Sequence, residues 1–549
     1  MKKLLNLAIC AALGLMLGAC ASGGSQSESA GSAASAEGSG QENAAAGEGY
    51  LNIAINADIQ TADVHKTSKD YMVPLNIFDR LVEVEVQADG STKLVPSLAK
   101  EWKVSDDGKT YTLTLQEGVK FHNGADFNAE DVVYSLKRII AVEGGVNADM
   151  VSYIEGSKEL MEGSAKELSG VKAIDDYTVE IKLSEPYGGF MACLSTSPVA
   201  MMDAEATEAA GDAFGNDPAF TVGTGPFKLK SRTLNSIIVL ERNEDYWKGA
   251  SALPGVNIRI VPDAETRNIM FRNKELDILD LDYMVEHIDQ YKADFADRLV
   301  SLPRVGISYF TFNESIEPMS DVKIRKAISM AIDRQAIVDE LYNGIAQVEN
   351  GIFPRGLIGH NADLNFPAYD PEAAKALLAG AGYPGGFDME IAVDNSSSDI
   401  VKSCVEVIAA QLQEIGVNAQ IKNYDESTWL ATRKDGSLGS FMSTWTADYN
   451  DPDNFIYTFF GNEENTKLRS INYYNKEIMD RVSAARTIVD EKERMEEYKA
   501  LEEQIVIEDR AWLPLFSREH YFAVGEGVEN FVPNWAGISD IQFYGIIKK

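Results

Sequence analysis

The densest run of side chains capable of chemistry is Trp445-Thr-Ala-Asp448-Tyr449-Asn-Asp451-Pro452-Asp453-Asn454-Phe455. Its carboxylates could work as an acid and base, hold a cation, or solvate a turn. Glycoside hydrolysis needs two carboxyl groups flanking the scissile bond, whereas Asp448 and Asp451 share one turn. A calcium loop needs a turn glycine and a distal glutamate, and here Pro452 interrupts the run. Read on turn chemistry alone, Asp-Tyr-Asn-Asp-Pro-Asp-Asn is a surface turn, and with 85 acidic residues the chain has many carboxylates to place in turns. The other candidates are thinner. The five histidines, at 65, 122, 287, 360 and 520, form no His-x-x-x-His pair, and no Gly-x-Ser-x-Gly elbow occurs. His122, alone beside a turn, reads as structural. Gly223-Thr-Gly225-Pro226-Phe227 lacks the third glycine of a phosphate loop, and Pro226 leads into a strand, so it reads as a turn. The residues give an extracellular hydrolase no positioned base or nucleophile. No enzyme, metal site or cofactor is expected.

The elements around the acidic run place it at a ligand position. Met389–Val393 reads as a strand. Ser397 or Ser398 then caps a helix whose Ile400, Val401, Val405, Ile408, Leu412 and Ile415 keep helical spacing, and Gly416 stops it. Val417–Ile421 follows as a second strand. Short joints between strand, helix and strand imply a parallel βαβ unit. A further helix over Ser427–Arg433 leads to Gly439–Trp445. Trp-Thr-Ala-Asp therefore leaves a sheet at its carboxyl end, where open α/β sheets take ligands.

At the start of the chain, Lys2 and Lys3 precede an apolar run ending in Leu17-Gly18-Ala19-Cys20. A charged start, a short apolar core and small residues before the cysteine describe a signal peptide, too short to span a bilayer. Leu-Gly-Ala-Cys resembles a bacterial lipobox, which would make Cys20 the lipid-bearing N-terminus after cleavage of residues 1–19. Residues 20–49 carry no apolar side chain larger than alanine beyond Cys20 and read as a flexible tether. Lipid, tether and folded body together place the protein on the outer face of the cytoplasmic membrane, or in the periplasm. The formal charge of −35 argues against nucleic acid as a partner. A body of about 500 residues exceeds one core, so two or more domains are expected. Cys193 and Cys404 read as small buried apolar residues, in a compartment that would permit a disulfide.

The first domain opens with the alternating strand Leu51–Ile55. Tyr111–Leu115 alternates cleanly after the Ser105–Lys109 hairpin turn. Asn128 caps a helix with acids in its first turn and Val132, Val133, Leu136, Ile139 and Ile140 on its apolar face. In the second half Asp321 caps a long helix, and Asp370-Pro371 caps another that Gly380 and Gly382 close. Helical runs follow over Lys476–Val489 and Glu491–Ile507. They precede Trp512-Leu-Pro-Leu-Phe516, and Tyr521–Val524 reads as the final strand, returning to the first lobe.

The stretch Val95–Arg138, including Gly118-Val-Lys-Phe-His-Asn-Gly124, closely resembles the long signature of the family 5 solute-binding receptors that serve ABC importers of oligopeptides, dipeptides and nickel. Gly-Thr-Gly-Pro-Phe at 223 and Trp-x-Ala-Asp-Tyr-x-x-Pro at 445 match further family segments, and the resemblance covers the chain from about Tyr50 onward, most like the oligopeptide-binding members. It implies an α/β fold of the type II periplasmic-binding-protein class, with two lobes, a hinge and an inserted subdomain. Residues 50–82, 196–304 and 522–549 would form lobe I, 83–195 the subdomain and 305–521 lobe II, with hinge crossings near Arg304–Ser308 and Ser517–Tyr521. Two hinge strands permit bending and limit twist.

The resemblance implies a non-catalytic monomer that closes over a peptide and passes it to an ABC permease. Asp448 would hold the peptide ammonium. Thr444 and Thr446 would pair with its backbone as an added strand, and Ser68, Tyr309 and Trp445 would line the cleft, although the two aromatics also suit ordinary core packing. Family members also carry dipeptides, nickel complexes, haem, glutathione or oligosaccharides. Dipeptide members place an arginine after the strand matched by Met389–Val393, where this chain reads Asp394-Asn-Ser-Ser-Ser398. Oligopeptide members can carry one three residues before the tryptophan, where this chain has Met442. Both departures favour longer or variable peptides. Asp280 and Asp282 read as a solvated turn, with selection of basic side chains as the alternative.

Overall fold

The computed structural model describes residues 49–69, 71–87, 90–282, 284–535 and 541–549. The expected signal peptide, Cys20 and nearly all of the tether lie outside the described residues.

Three hydrophobic cores organise the body. The first gathers Leu51, Ile53, Phe78, Phe227, Leu240, Val256 and Phe543 around a four-stranded sheet. In that sheet Leu51–Ile55 runs parallel to Gly255–Ile260, followed outward by the antiparallel strands Ile237–Arg242 and Phe227–Thr233. The second core lies wholly within residues 81–201 and belongs to the inserted subdomain. Tyr111, Leu113 and Leu115 point inward from the alternating Thr110–Leu115 strand, the centre of a four-stranded antiparallel sheet. Packed beside it, the Ala129–Ala141 helix opens with a reciprocal capping box between Asn128 and Asp131. Losing such a cap costs about 0.5–2 kcal/mol.

The glycines of the 223–225 turn have a steric reason. A Cβ on Gly225 would come within 2.6 Å of the Ile77 carbonyl oxygen, which instead accepts a 2.8 Å bond from the Gly225 amide. His122 seals the same turn, its Nε2 lying 3.0 Å from the Gly225 oxygen. Burial pushes this imidazole down to about 4, in keeping with a structural role.

The third and largest core fills the second lobe. Its sheet is built on one long strand, Trp512–Val524, of which the sequence reading assigned only Tyr521–Val524. Pro514 lies opposite Tyr309, where the register shifts by a bulge between Ser308 and Tyr309, and the strand runs on through it. The strand pairs with Gly306–Thr311, Ala346–Val348, Leu299–Pro303 and Ile278–Asp280 in turn, so its far end reaches the first lobe. Leu299–Pro303 continues through Arg304 and Val305 into Gly306–Thr311, the second crossing. Leu276, Leu279, Leu281, Met284, Ile288 and Tyr291 pack continuously with this third core.

Asp388–Asp394 and Asn418–Tyr424 are parallel, joined by the Asp399–Glu414 helix, as the spacing required. The long helix expected after Asp321 is two helices, Val322–Ala331 and Arg334–Leu341. Asp333 breaks them, accepting the Ala336 amide as a new N-cap. The later helices end early, at Ala485 and Glu503, the latter passing into one π turn. Cys193 and Cys404 are both free thiols, buried in separate cores. No helix among the described residues is long and apolar enough to cross a membrane.

Candidate functional site

The Met442–Thr446 strand sits at the edge of the second lobe's sheet and, among the described strands, pairs only with Gly306–Thr311. The Phe441 carbonyl and the Ala447 amide both bond toward that neighbour, so the odd-numbered residues between them do the same. The alternate groups, the N–H and C=O of Thr444 and Thr446, therefore face away. On that side the parallel strand reaches only Ser440, whose oxygen accepts from the Ala392 amide. Thr444 and Thr446 thus offer a short open sheet edge.

Asp448 follows directly. Asn454, from the next helix, brackets it. The Asp448 amide donates to the Asn454 side-chain oxygen at 3.0 Å, and Asn454 Nδ2 donates to Asp448 Oδ2 at 3.0 Å. Trp445 Nε1 donates to both oxygens of Asn454. Asn454 is itself buried, so this bracket fixes the rotamer of Asp448 and leaves its Oδ1 open.

The exposed surface of Asp448 lines a cavity of about 370 Å³. Opposite it stand Ser68, Arg80 and, from the inserted subdomain, Asn147 and Asp149, with Trp535 from the C-terminal tail. Arg80 is neutralised by Glu83 at 3.2 Å. Asp149 has no basic partner among the described residues and lies near enough to act as a charge on Asp448. The Asp448 pKa is raised from its ordinary value, first by loss of water around it and then by Asp149, while Asn454 and Arg469 oppose the shift. Burial likewise raises Asp149. Two carboxylates thus line one cavity, and neither forms an ion pair among the described residues.

The other expected site residues are distributed as follows. Ser68 lines the cavity with Asp448. Thr444 lines a smaller space of about 220 Å³ beside Trp429, Val393 and Val401. Trp445 is half-buried, its ring edge-on to Phe459 at 5.5 Å. Tyr309 is outside the cavity, 2% exposed and packed against Trp512 at 4.3 Å. It belongs to the core because its strand is covered on both faces, burying every side chain.

Two expectations about acids are overturned. Asp451 and Asp453 are not solvated turn residues. Asp451 is 2% exposed and receives both Arg494 terminal nitrogens, at 2.8 and 2.7 Å. Asp453, 1% exposed, takes Arg486 Nε at 2.8 Å and hydroxyls of Tyr187, Tyr449 and Tyr498. Composition hid this, because the arginines lie more than 30 residues along the chain. Asp282 is likewise buried and not in a solvated turn. It bonds Arg518 at 2.9 Å, with Arg304 and His520 near, at the hinge crossings and away from the cavity. The sequence reading also missed Asp149, Arg80 and Asn454 as site residues. Of these only Asn454, inside the acidic run, carried any local signal.

Two lobes, crossing strands and a polar cavity between them define a two-lobed solute-binding protein. A sequence model of the bacterial extracellular solute-binding proteins, family 5 Middle, matches residues 93–467. The chain belongs to this family. It is 32% identical over 456 residues to a dipeptide-binding protein of Escherichia coli K12, covering 80% of this chain and 82% of that one. It is 30% identical over 488 residues to heme-binding protein A of Haemophilus influenzae, covering 86% of each. The solved structure of HbpA2 from Haemophilus parasuis superposes with a TM-score of 0.78 at 26% identity, covering 91% of this chain and all of the other. The chain is accordingly an extracytoplasmic transport protein of the type II binding fold, and not an enzyme.

Proposed function

We propose that this protein captures peptides in the cavity between its lobes and delivers them to an ABC permease, held at the membrane by a lipid on Cys20. The observation that carries the peptide reading is the open edge at Thr444 and Thr446 running into Asp448. An extended peptide can add to that edge through its own backbone, which is indifferent to side chains. Its ammonium then meets Asp448 in a charge-assisted bond, with Asp149 adding negative potential from the opposite wall. Ser68 and Trp445 are read as flanking contacts.

A metal complex or haem as ligand has less support. None of the five histidines lines the cavity, and four of them are tied elsewhere: His65 to Arg138, His122 to the Gly225 turn, His287 to Glu265 and His360 to the Phe353 carbonyl.

Titration calorimetry with a free-amine peptide and its N-acetylated twin tests the reading, alongside native mass spectrometry of co-purified ligands. Acetylation is expected to weaken binding about 30-fold or more. Equal affinities for the two forms would overturn it. For the anchor, Cys20→Ser is expected to abolish partitioning of the mature protein into detergent. Retained partitioning as an acylated protein would refute that element of the proposal.

A further inference from the structure

The two crossings meet at one buried carboxylate. The long strand Trp512–Val524 changes partners within two residues, Arg518 standing opposite Ala346 and Glu519 opposite Pro303. Side chains alternate across a strand, and at this point its two faces are held by different parts of the molecule. On one face Glu519 accepts from the Gln347 side-chain amide at 2.8 Å, and Arg355 Nη2 donates to the Ser517 hydroxyl at 3.0 Å. Gln347 and Arg355 lie between Ala346 and Leu357, which pack in the third core. On the other face Arg518 Nη2 donates to Asp282 twice, to Oδ1 at 2.9 Å and to the carbonyl oxygen at 3.1 Å. His520 brings its Nδ1 to 3.7 Å from the same Oδ1. Asp282, itself buried, follows the strand Ile278–Asp280, whose Ile278 packs in the first core and Leu279 in the third.

The other crossing reaches the same group. Arg304, between Leu299–Pro303 and Gly306–Thr311, donates its amide to the Arg518 carbonyl at 2.9 Å. Its Nη1 lies 3.8 Å from Asp282 Oδ2. The carboxylate therefore turns one oxygen to each crossing, close to Arg518 and loosely to Arg304. At 3.8 Å the second contact is an ion pair without a hydrogen bond. Coulomb attraction falls slowly with distance, so this contact yields during rotation while the Arg518 bonds hold. We propose that Asp282 is a positioning residue for lobe motion, the pivot to which Arg518 fixes one crossing and about which Arg304 lets the other turn. The pivot confines opening to one axis. Confinement serves capture, because a free protein that samples fewer orientations loses less conformational freedom on closing. The inference does not depend on which solute is bound.

Pulsed electron spin resonance on the unliganded full chain, with spin labels on Leu234→Cys and Tyr369→Cys, reads the motion. Leu234 is exposed on the first sheet's turn, and Tyr369 is exposed just before the helix Pro371–Gly380, which packs in the third core. Cys193 and Cys404 are buried and escape labelling. The width of a confined distribution varies as the inverse square root of its stiffness, so losing half the stiffness widens it about 1.4-fold. Asp282→Asn and Arg304→Gln are each expected to widen the label distance distribution by about that factor. The double variant should widen it no further than Asp282→Asn, because both changes break one contact. Should Asp282→Asn fail to fold, Arg304→Gln decides alone, since its side chain is 31% exposed and its loss spares the core. An unchanged width in Arg304→Gln overturns the pivot. Additive widening would show the two residues acting apart and would also overturn it. A lower melting temperature of Asp282→Asn at unchanged width would leave only a structural ion pair, and the inference fails.

Discussion

The role proposed for Asp448 rests on how its two carboxylate oxygens are placed. Asn454 satisfies one of its oxygens and fixes its direction, and the other oxygen is left to the cavity. Removing one member of a desolvated ion pair typically costs about 2–5 kcal/mol. Asp448→Asn is therefore expected to weaken peptide binding at least about 30-fold, and combining it with N-acetylation should add little. Asp451→Asn should act differently. It strands the buried Arg494, a loss of about 3–5 kcal/mol of stability, seen as an earlier denaturant midpoint rather than as selective loss of affinity. Asp280 offers a pH test. Its pKa is raised from 3.8 to about 8, first by burial and then by Asp282, with the Asp282 amide, Arg267 and Arg304 opposing. A carboxyl favoured in its neutral form when folded stabilises the native state below its unfolded pKa and loses that contribution as pH rises toward 8. Asp280→Asn keeps the acceptor for the Asp282 amide and cannot ionise. Its stability relative to wild type should grow between pH 4 and pH 8. A constant difference across that window would refute the assignment.

At the scale of elements, legibility followed locality. The βαβ unit was readable because helical spacing and Gly416 lie within one stretch of chain, and the capping box at Asn128 needs only four consecutive residues. The single Trp512–Val524 strand was not readable, because its register with Gly306–Thr311, about two hundred residues earlier, is kept by a bulge at Leu515 next to Pro514. The same limit hid Asp149, which comes near Asp448 only where the subdomain and second lobe meet, and Arg494, which reaches Asp451 from 43 residues further along the chain. The family resemblance drew attention to Thr444 and Thr446, but only the hydrogen-bond parity fixed by Phe441 and Ala447 shows which backbone groups are open. This parity makes a ligand-side prediction. N-methylation of the peptide amides opposite Thr444 and Thr446 should each weaken binding by about fivefold or more, the worth of one backbone hydrogen bond. Alanine replacement of neutral side chains should matter less. An N-methyl scan read by fluorescence competition distinguishes the two, and a flat profile would exclude strand addition.

The whole molecule is held by unequal ties around the inserted subdomain. To the first lobe it is bound by the bidentate Arg138–Asp63 pair, by Asn147 bridging the Val64 and Thr67 carbonyls, and by His122 on the Gly225 turn. To the second lobe it is bound by the Gly188 amide on the Arg486 carbonyl, by Thr92, which donates to the Gly356 carbonyl and accepts from Asn450, and by tyrosine hydroxyls. Tyr187 donates to Asp453 at 2.9 Å, and Tyr153 accepts from Arg486, which already pairs with Asp453. Rotation about the crossings near Arg304 and Arg518 must open either the first or the second of these interfaces. The hydroxyl ties are the weaker, since Asp453 and Arg486 keep each other when they break. They lie a few residues from Asp448, so the segment proposed to hold the ligand also ties the subdomain to the second lobe. A Tyr153→Phe, Tyr187→Phe double variant removes two hydrogen bonds to charged groups, about 1.5–3 kcal/mol each, without touching the cavity. The unliganded variant should show a larger radius of gyration by small-angle scattering than wild type. Saturating peptide should shrink both to the same value, and the variant's affinity should fall by about tenfold or more, because some of the binding energy now closes the lobes. Identical radii and affinities, with both proteins folded by circular dichroism, would show that the lobes move without opening this interface.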